Sequence, residues 1–304
     1  MKVFVAQPLP EPSTTEILAG LEVVIGRAGA FAEEAPLHLP AADALVPTPR
    51  ERVDEALLAL APRLKVVANC AVGTDNVDLE ACRRRGVVVT NTPGVLTAAT
   101  ADLAWLLVLA ATRRYREGEA AIRSGEWTGW KPLELLGTSL EGKTLGVYGM
   151  GRIGSAVARR AEAFGMRVVG VVAGDPPEAF ERLLAESDVV SIHAPLTSQT
   201  RGRFGAAELA RMKEGAFLVN TARGPIVDEG ALAAALASGH LGGAGLDVFE
   251  REPAVHPDLL SLPNVVLLPH LGSATRETRL AMARTACEEA RRVLPGKEPR
   301  NRVA

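Results

Sequence analysis

Cysteine is scarce: three in 304 residues, Cys70, Cys82 and Cys287, with no CxxC or Cys/His spacing among them. Such a set suggests neither a disulfide framework nor a zinc site, and no metal is expected. Lysine is also rare. Six of the 34 basic residues are Lys and the other 28 are Arg, and the chain holds only six Asn and two Gln. Few amides and compact Pro-containing loops fit a thermostable protein; a GC-rich coding sequence would give the same Arg and Ala bias. No charge dominates, since the 34 basic residues oppose 36 acidic ones for a net charge of -2. No bulk field therefore draws the chain to nucleic acid or anionic lipid. The longest apolar run, residues 103–111, has nine residues, far short of the roughly 20 that a membrane span needs. The opening MKVFVAQPLP has four apolar residues between Lys2 and Gln7, too few for a signal-peptide core. A cytoplasmic location is expected.

What is present is an alternation. With 47% hydrophobic and 23% charged residues, the composition is that of an ordinary globular protein. Short apolar runs rich in Val and Ile, at 2–6, 64–68, 87–90, 144–148, 167–172, 188–192, 216–220, 243–247 and 264–268, read as buried strands. Between most of them lie Ala/Leu/Glu/Arg stretches with helical spacing, such as 152–164 and 229–238. This pattern predicts an α/β protein of parallel sheets covered on both faces by helices. It breaks once, at a long apolar helix expected over 97–116 and followed by no strand until Thr144. We read the break as the connection between two Rossmann-like, doubly wound domains separated by a cleft. Residues 1–96 with 276–304 would form a flavodoxin-like, substrate-binding domain, and 97–275 a dinucleotide-binding one; a helix over 274–294 would return to the first.

The run 144–148 leads straight into Gly149-Met150-Gly151-Arg152-Ile153-Gly154 and a helix. In that context Gly149 permits a tight turn, Gly151 lets a pyrophosphate approach the backbone and Gly154 lets helix and strand pack closely. The helix N-terminus then offers free amides to the phosphates. An acid should follow the next strand to hold the adenosine ribose. That strand ends at Val172, which cannot do so, and Asp175 is the candidate if the Ala173-Gly174 turn brings it back. No Arg or Lys occurs before Arg182 to meet a 2′-phosphate, which favours NADH over NADPH.

Ligands of a doubly wound sheet lie beyond the carboxyl ends of its strands. After 188–192 comes His193-Ala194-Pro195, after 216–220 comes Thr221-Ala222-Arg223, 243–247 ends in Asp247 with Glu252 beyond, and 264–268 precedes Pro269-His270. Hydride arriving at a ketone carbon leaves developing alkoxide, which calls for a proton donor and a cation. His270 is the natural donor, because imidazole titrates near neutrality. Glu252 would hold the imidazolium and orient the ring. Arg223 can bind a 2-oxo acid by its carboxylate and polarise the carbonyl, in a fork geometry that Lys lacks. Asp247 would receive the nicotinamide carboxamide or cap a helix. His193 would line the cofactor groove without titrating, while His38 and His256 read as loop residues and His240 as a helix C-terminal cation.

The strings VGTDNVDL (72–79), NTPGVLTAATADLAW (91–105), GMGRIGSAVARR (149–160), NTARGPIVDEGAL (220–232), AGLDVFEREP (244–253) and LPHLGSATRET (268–278) carry a resemblance to the D-isomer-specific 2-hydroxyacid dehydrogenases. It runs from about residue 69 to residue 278. The resemblance implies that Arg223, Glu252 and His270 are the catalytic set. It also implies that Ala71, Val72 and Gly73 bind the substrate carboxylate through backbone amides. Thr97, Arg152, Ile153, Pro195, Thr200, Thr221, Ala222 and Asp247 would contact NAD(P)H, and the protein would be a homodimer. The segment SGEWTGWKPLELLG (124–137) is most similar to the glyoxylate/hydroxypyruvate reductase (glycerate dehydrogenase) branch, in which Trp127 or Trp130 would reach the partner's pocket or simply pack the dimer. The stretch from Val172 to Asp188 is shorter than the family pattern and lacks its usual acid. Two other readings stand beside this one: a D-3-phosphoglycerate dehydrogenase, with Arg50 and Arg52 as phosphate candidates, and a dinucleotide-sensing corepressor-like protein. The intact Arg223/Glu252/His270 set argues against the latter.

Overall fold

In the computed structural model, which describes residues 1–304, each of the nine apolar runs carries a parallel strand. The chain divides into two units, Met1–Leu96 with Ala274–Ala304, and Thr97–Ser273. The first holds β1 (Lys2–Val5), β2 (Glu22–Ile25), β3 (Ala44–Val46), β4 (Val66–Ala68) and β5 (Val88–Thr90). They form one parallel sheet in the order β2-β1-β3-β4-β5, the flavodoxin-like arrangement. Two of these strands lie outside the nine runs. β2 is a half-exposed edge strand and β3 is three residues long, so neither has the length or periodicity that marks a strand in sequence. The core gathers Phe4, Leu45, Leu58, Val67 and Val89, and the helix Arg276–Val293 belongs to this unit.

The second unit holds β6 (Thr144–Tyr148), β7 (Arg167–Val171), β8 (Val189–Ile192), β9 (Ala216–Asn220), β10 (Leu241–Leu246) and β11 (Val265–Leu267). All pairings are parallel, in the order β11-β10-β9-β8-β6-β7. The chain runs outward from β6 to β7, then crosses back to β8 on the other side of β6, which makes the end of β6 the topological switch point. Side chains alternate between the faces. Val190 and Leu218 enter one apolar cluster with Leu183, Phe204 and Leu246, and their neighbours Val189 and Phe217 enter another with Trp105, Leu107 and Val157. Both faces are therefore dry, and each buried aliphatic side chain contributes about 1.5–3 kcal/mol.

One expected helix is shorter than its hydrophobicity suggests. The run expected over 97–116 ends at Thr112, and a second helix, Tyr115–Ser124, starts after Arg114 in the left-handed conformation at φ 51°. The cause is local. Thr138 N–H donates to the Thr112 carbonyl at 2.8 Å, taking the acceptor that a continuous helix would offer to Arg116. A Cβ on Gly137 would lie 2.5 Å from the same oxygen. The first helix is fastened to the helix Arg152–Ala161 and the turn after it by Trp105, whose indole N–H donates to the Val157 carbonyl at 3.0 Å while its ring stacks on Phe164. No helix of the chain is long and apolar enough to cross a membrane.

Candidate active site

Parallel strands bring their carboxyl ends to one edge of the second unit's sheet. The glycine turn leaves β6 there, and the three glycines meet different surroundings. Gly149 has φ 101°, and a Cβ on it would lie 2.5 Å from Ala194 N; one on Gly154 would lie 2.0 Å from the Gly149 carbonyl oxygen. Both are glycines because other backbone occupies the space. Gly151 differs, since nothing lies within 4 Å of where its Cβ would be. It is the N-terminal cap of the helix Arg152–Ala161, with no side chain bonded to that end. An open cradle facing uncapped helix amides fits the pyrophosphate of a dinucleotide. Arg152 and Ile153 form the first turn of that helix.

Beyond β7, the Asp175 carboxylate accepts the Val172 N–H at 2.8 Å. The Ala173-Gly174 turn, with Gly174 at φ 93°, thus does return this acid to the strand end. After β8, the half-buried His193 shares hydrogen bonds with the Ser191 hydroxyl through Nε2 (2.8 Å) and the Thr221 hydroxyl through Nδ1 (3.4 Å). Burial pushes this imidazole down to about 3, so it stays neutral across the physiological range. Thr200 donates its hydroxyl to the Pro195 carbonyl at 2.7 Å and accepts the Thr197 N–H, closing the turn that follows. Thr97 opens the helix Thr97–Thr112. Ala222 N–H donates to the Asn220 side chain at 3.0 Å, which shapes the strand end leading into Arg223.

The three residues assigned to chemistry converge. His270 Nδ1 and Glu252 Oε2 are 3.0 Å apart, both side chains about 38% exposed, which leaves Nε2 on the open side of the ring. Burial opposes the charge on Glu252. The His270 bond and charge, the Phe249 N–H and the nearby Arg223 outweigh it and hold the carboxyl below its ordinary value. Arg223 directs Nη1 to the Ala222 carbonyl at 2.8 Å. Its loop is pressed against the Glu252 loop at Gly224, where a Cβ would lie 1.8 Å from the Phe249 carbonyl carbon.

His270 itself is in the left-handed region, at φ 57°, which costs a non-glycine residue about 1–2 kcal/mol. Asp247 sustains it. Its carbonyl oxygen accepts the His270 N–H at 2.9 Å, and its buried carboxylate accepts the Leu271 and Gly272 N–H groups at 2.6 and 2.7 Å. Burial raises the Asp247 carboxyl, and the two amides pull it the other way. The residue read from sequence as a carboxamide receiver is thus also the clamp of the histidine turn. A second buried carboxylate, Glu229, was not singled out by the sequence. It accepts the N–H groups of Glu250 and His256, and bonds to main-chain amides leave no signature in side-chain pattern.

In the first unit, the loop after β4 is held by buried Asn69, whose Nδ2 donates to the Gly73 carbonyl at 2.9 Å and to Asn76. The Ala71 N–H donates to the Asn69 carbonyl at 2.8 Å, within its own turn. The three thiols are buried, and burial pushes Cys70 and Cys287 up to about 12 and Cys82 to about 11.

A phosphate turn at the switch point of a parallel sheet, with a His-Glu pair and an Arg at the same edge, defines a dinucleotide-dependent oxidoreductase. The model of the D-isomer specific 2-hydroxyacid dehydrogenase NAD binding domain matches residues 105–272. A glyoxylate reductase of Thermococcus litoralis is 46% identical over 99% of this chain and 96% of its own length. The crystal structure of a Thermus thermophilus protein superposes with a TM-score of 0.94 at 49% identity, covering 100% of both chains. An NADPH-dependent glyoxylate/hydroxypyruvate reductase of Sinorhizobium meliloti, crystallised with NADP and malonate, gives 0.88 at 35% identity over 100% of this chain and 96% of that one. The chain belongs to the D-isomer specific 2-hydroxyacid dehydrogenase family.

Proposed function

We propose that this protein reduces glyoxylate to glycolate and hydroxypyruvate to D-glycerate. The observation that carries the reading is the 3.0 Å His270–Glu252 pair with Arg223 close enough to lower Glu252. Reduced NAD(P) supplies a hydride to the carbonyl carbon. His270 gives its Nε2 proton to the carbonyl oxygen as charge develops there, and Glu252, kept ionised, holds the Nδ1 proton and stabilises the imidazolium beforehand. Arg223 binds the carboxylate and draws charge toward the carbonyl oxygen. Carbon gains the hydride and oxygen the proton, so the 2-oxo acid leaves as the 2-hydroxy acid. The amides of Val72 and Gly73 serve the substrate carboxylate.

Gly149, Gly151, Arg152, Ile153 and Gly154 hold the pyrophosphate, and Thr97, His193, Pro195, Thr200, Thr221, Ala222 and Asp247 line the rest of the cofactor's path. Asp175 meets the adenosine ribose, which favours NADH. The homologous glyoxylate reductases support the substrate assignment, and the preference for NADH rests on Asp175 alone. The protein works in the cytoplasm as a homodimer through its second unit, whose Ile122, Trp127, Trp130, Leu133 and Leu136 are exposed apolar side chains that a second copy would cover.

Initial rates of NADH and NADPH oxidation with glyoxylate, hydroxypyruvate and 3-phosphohydroxypyruvate test this reading. Fast turnover of the first two acids, with NADH ahead, is expected. A preference for the phosphorylated acid would overturn the substrate assignment.

A further inference from the structure

Glu252 is carried by a short excursion beyond β10, and a single carboxylate grips both ends of that excursion. Glu229, 5% exposed at the start of the helix Glu229–Ala237, accepts the Glu250 N–H on Oε1 at 2.6 Å and the His256 N–H on Oε2 at 3.2 Å. No Lys or Arg pairs with it. Two main-chain amides satisfy its two carboxylate oxygens. Glu252 lies between the gripped residues, nearer to Glu250 than to His256. Within the excursion, Phe249 N–H donates to Glu252 Oε1 at 3.1 Å, and Ala254 N–H closes onto the Arg251 carbonyl at 3.0 Å.

We propose that Glu229 is a positioning residue for catalysis, acting through Glu252: it fixes the separation of the two ends of the 250–256 loop and so holds the Glu252 carboxylate on the His270 ring. The proposal rests on the reading of Glu252 and His270 as the proton-donating pair. The spacing argument is geometric. A carboxylate has two equivalent acceptors and can take both amides at once. A glutamine side chain has the same shape but one acceptor, and its NH2 group must face the second amide N–H. One end of the loop is then released, and Glu252 loses its fixed approach to both Phe249 N–H and His270. Glu229 meets the main-chain N–H groups of Glu250 and His256; beside it the N-cap Asp228 is bonded to Ala231 N–H, and a Cβ on Gly230 would lie 3.7 Å from the His256 ring. Facing Glu252 are His270, Arg223 and Asp247.

The test compares Glu229→Gln, Glu252→Gln and the double variant in the intact protein. For Glu229→Gln we expect kcat with glyoxylate to fall about tenfold, since small displacements of catalytic groups carry losses of this order or more, with the NADH dissociation constant unchanged. The double variant should be no slower than Glu252→Gln alone, because the first residue acts only through the second. Independently of any substrate, the Glu252 carboxyl carbon, followed by NMR in 13C-labelled protein, should titrate closer to the ordinary carboxylate value in Glu229→Gln. Additive losses in the double variant, or an unmoved Glu252 titration, would overturn the proposal. If wild-type protein fails to turn over glyoxylate, the functional reading fails and the titration still decides the positioning role. Glu229→Ala removes both acceptors and serves as a stability control by thermal melting.

Discussion

The His270 amide donates to the Asp247 main-chain oxygen at 2.9 Å, and the Asp247 carboxylate takes the next two amides, those of Leu271 and Gly272. One residue at the end of β10 therefore organises the turn after β11, and it holds the histidine in a backbone conformation that few side chains adopt. The strained residue is the proposed proton donor, and functional sites are where such strain tends to be kept.

Asp247→Ala should release that turn. Leu271 and Gly272 lose their acceptors, and His270 is free to leave φ 57°. Turnover should fall about a hundredfold, with a lower melting temperature, because two amides at a buried site become unpaired. A variant with normal turnover would show that the carboxylate is not needed to set the histidine.

The glycine turn separates packing from binding. Gly151→Ala places its methyl in open space, so the melting temperature should stay close to that of the wild type while the NADH dissociation constant rises about tenfold or more. Each tenfold corresponds to about 1.4 kcal/mol. Gly154→Ala drives a methyl into the Gly149 carbonyl and should destabilise the fold by about 1–3 kcal/mol. Thermal melts with fluorescence titration of NADH read both. Equal effects of the two substitutions on stability would contradict the assignment.

Glu252 is held below its ordinary value of 4.5, so its contribution to stability is present above that value. It is lost as the pH falls through the lowered one. The melting temperatures of wild type and Glu252→Gln should differ by a constant amount at neutral pH and converge only below pH 4.5. Convergence already at pH 5–6 would mean that His270 and Arg223 do not hold the carboxylate.

His193 is neutral because burial pushes it to about 3. His193→Gln should leave the pH profile of kcat/KM unchanged between pH 5 and 9 and weaken NADH binding severalfold. Loss of a titrating limb in that range would show that His193 carries a proton in the reaction.

Much of this was legible in the sequence, for physical reasons. β6 and β9 span 144–148 and 216–220 as expected, because fully buried parallel strands are unbroken apolar runs. Where the candidate residues gather was legible because the groups that follow parallel strands must share an edge, so His193, Arg223, Asp247, Glu252 and His270 could be brought together without coordinates. What depends on main-chain bonding could not be read. The helix stops at Thr112 because Thr138, from a distant loop, takes its carbonyl. The Ala71 amide is spent within its own turn, and the grips of Asp247 and Glu229 on backbone amides leave no trace in residue type or spacing. β2 and β3 were illegible because a half-exposed edge strand and a three-residue strand have too little pattern.

The most direct measurement is turnover of His270→Ala with glyoxylate, set beside its NADH dissociation constant. The account predicts a loss in kcat of about 10²–10⁴ with cofactor binding essentially unchanged, since it assigns the ring to proton donation and not to the phosphate turn. Retained turnover would contradict His270 as the proton donor, and loss of both turnover and NADH binding would assign it a structural role instead.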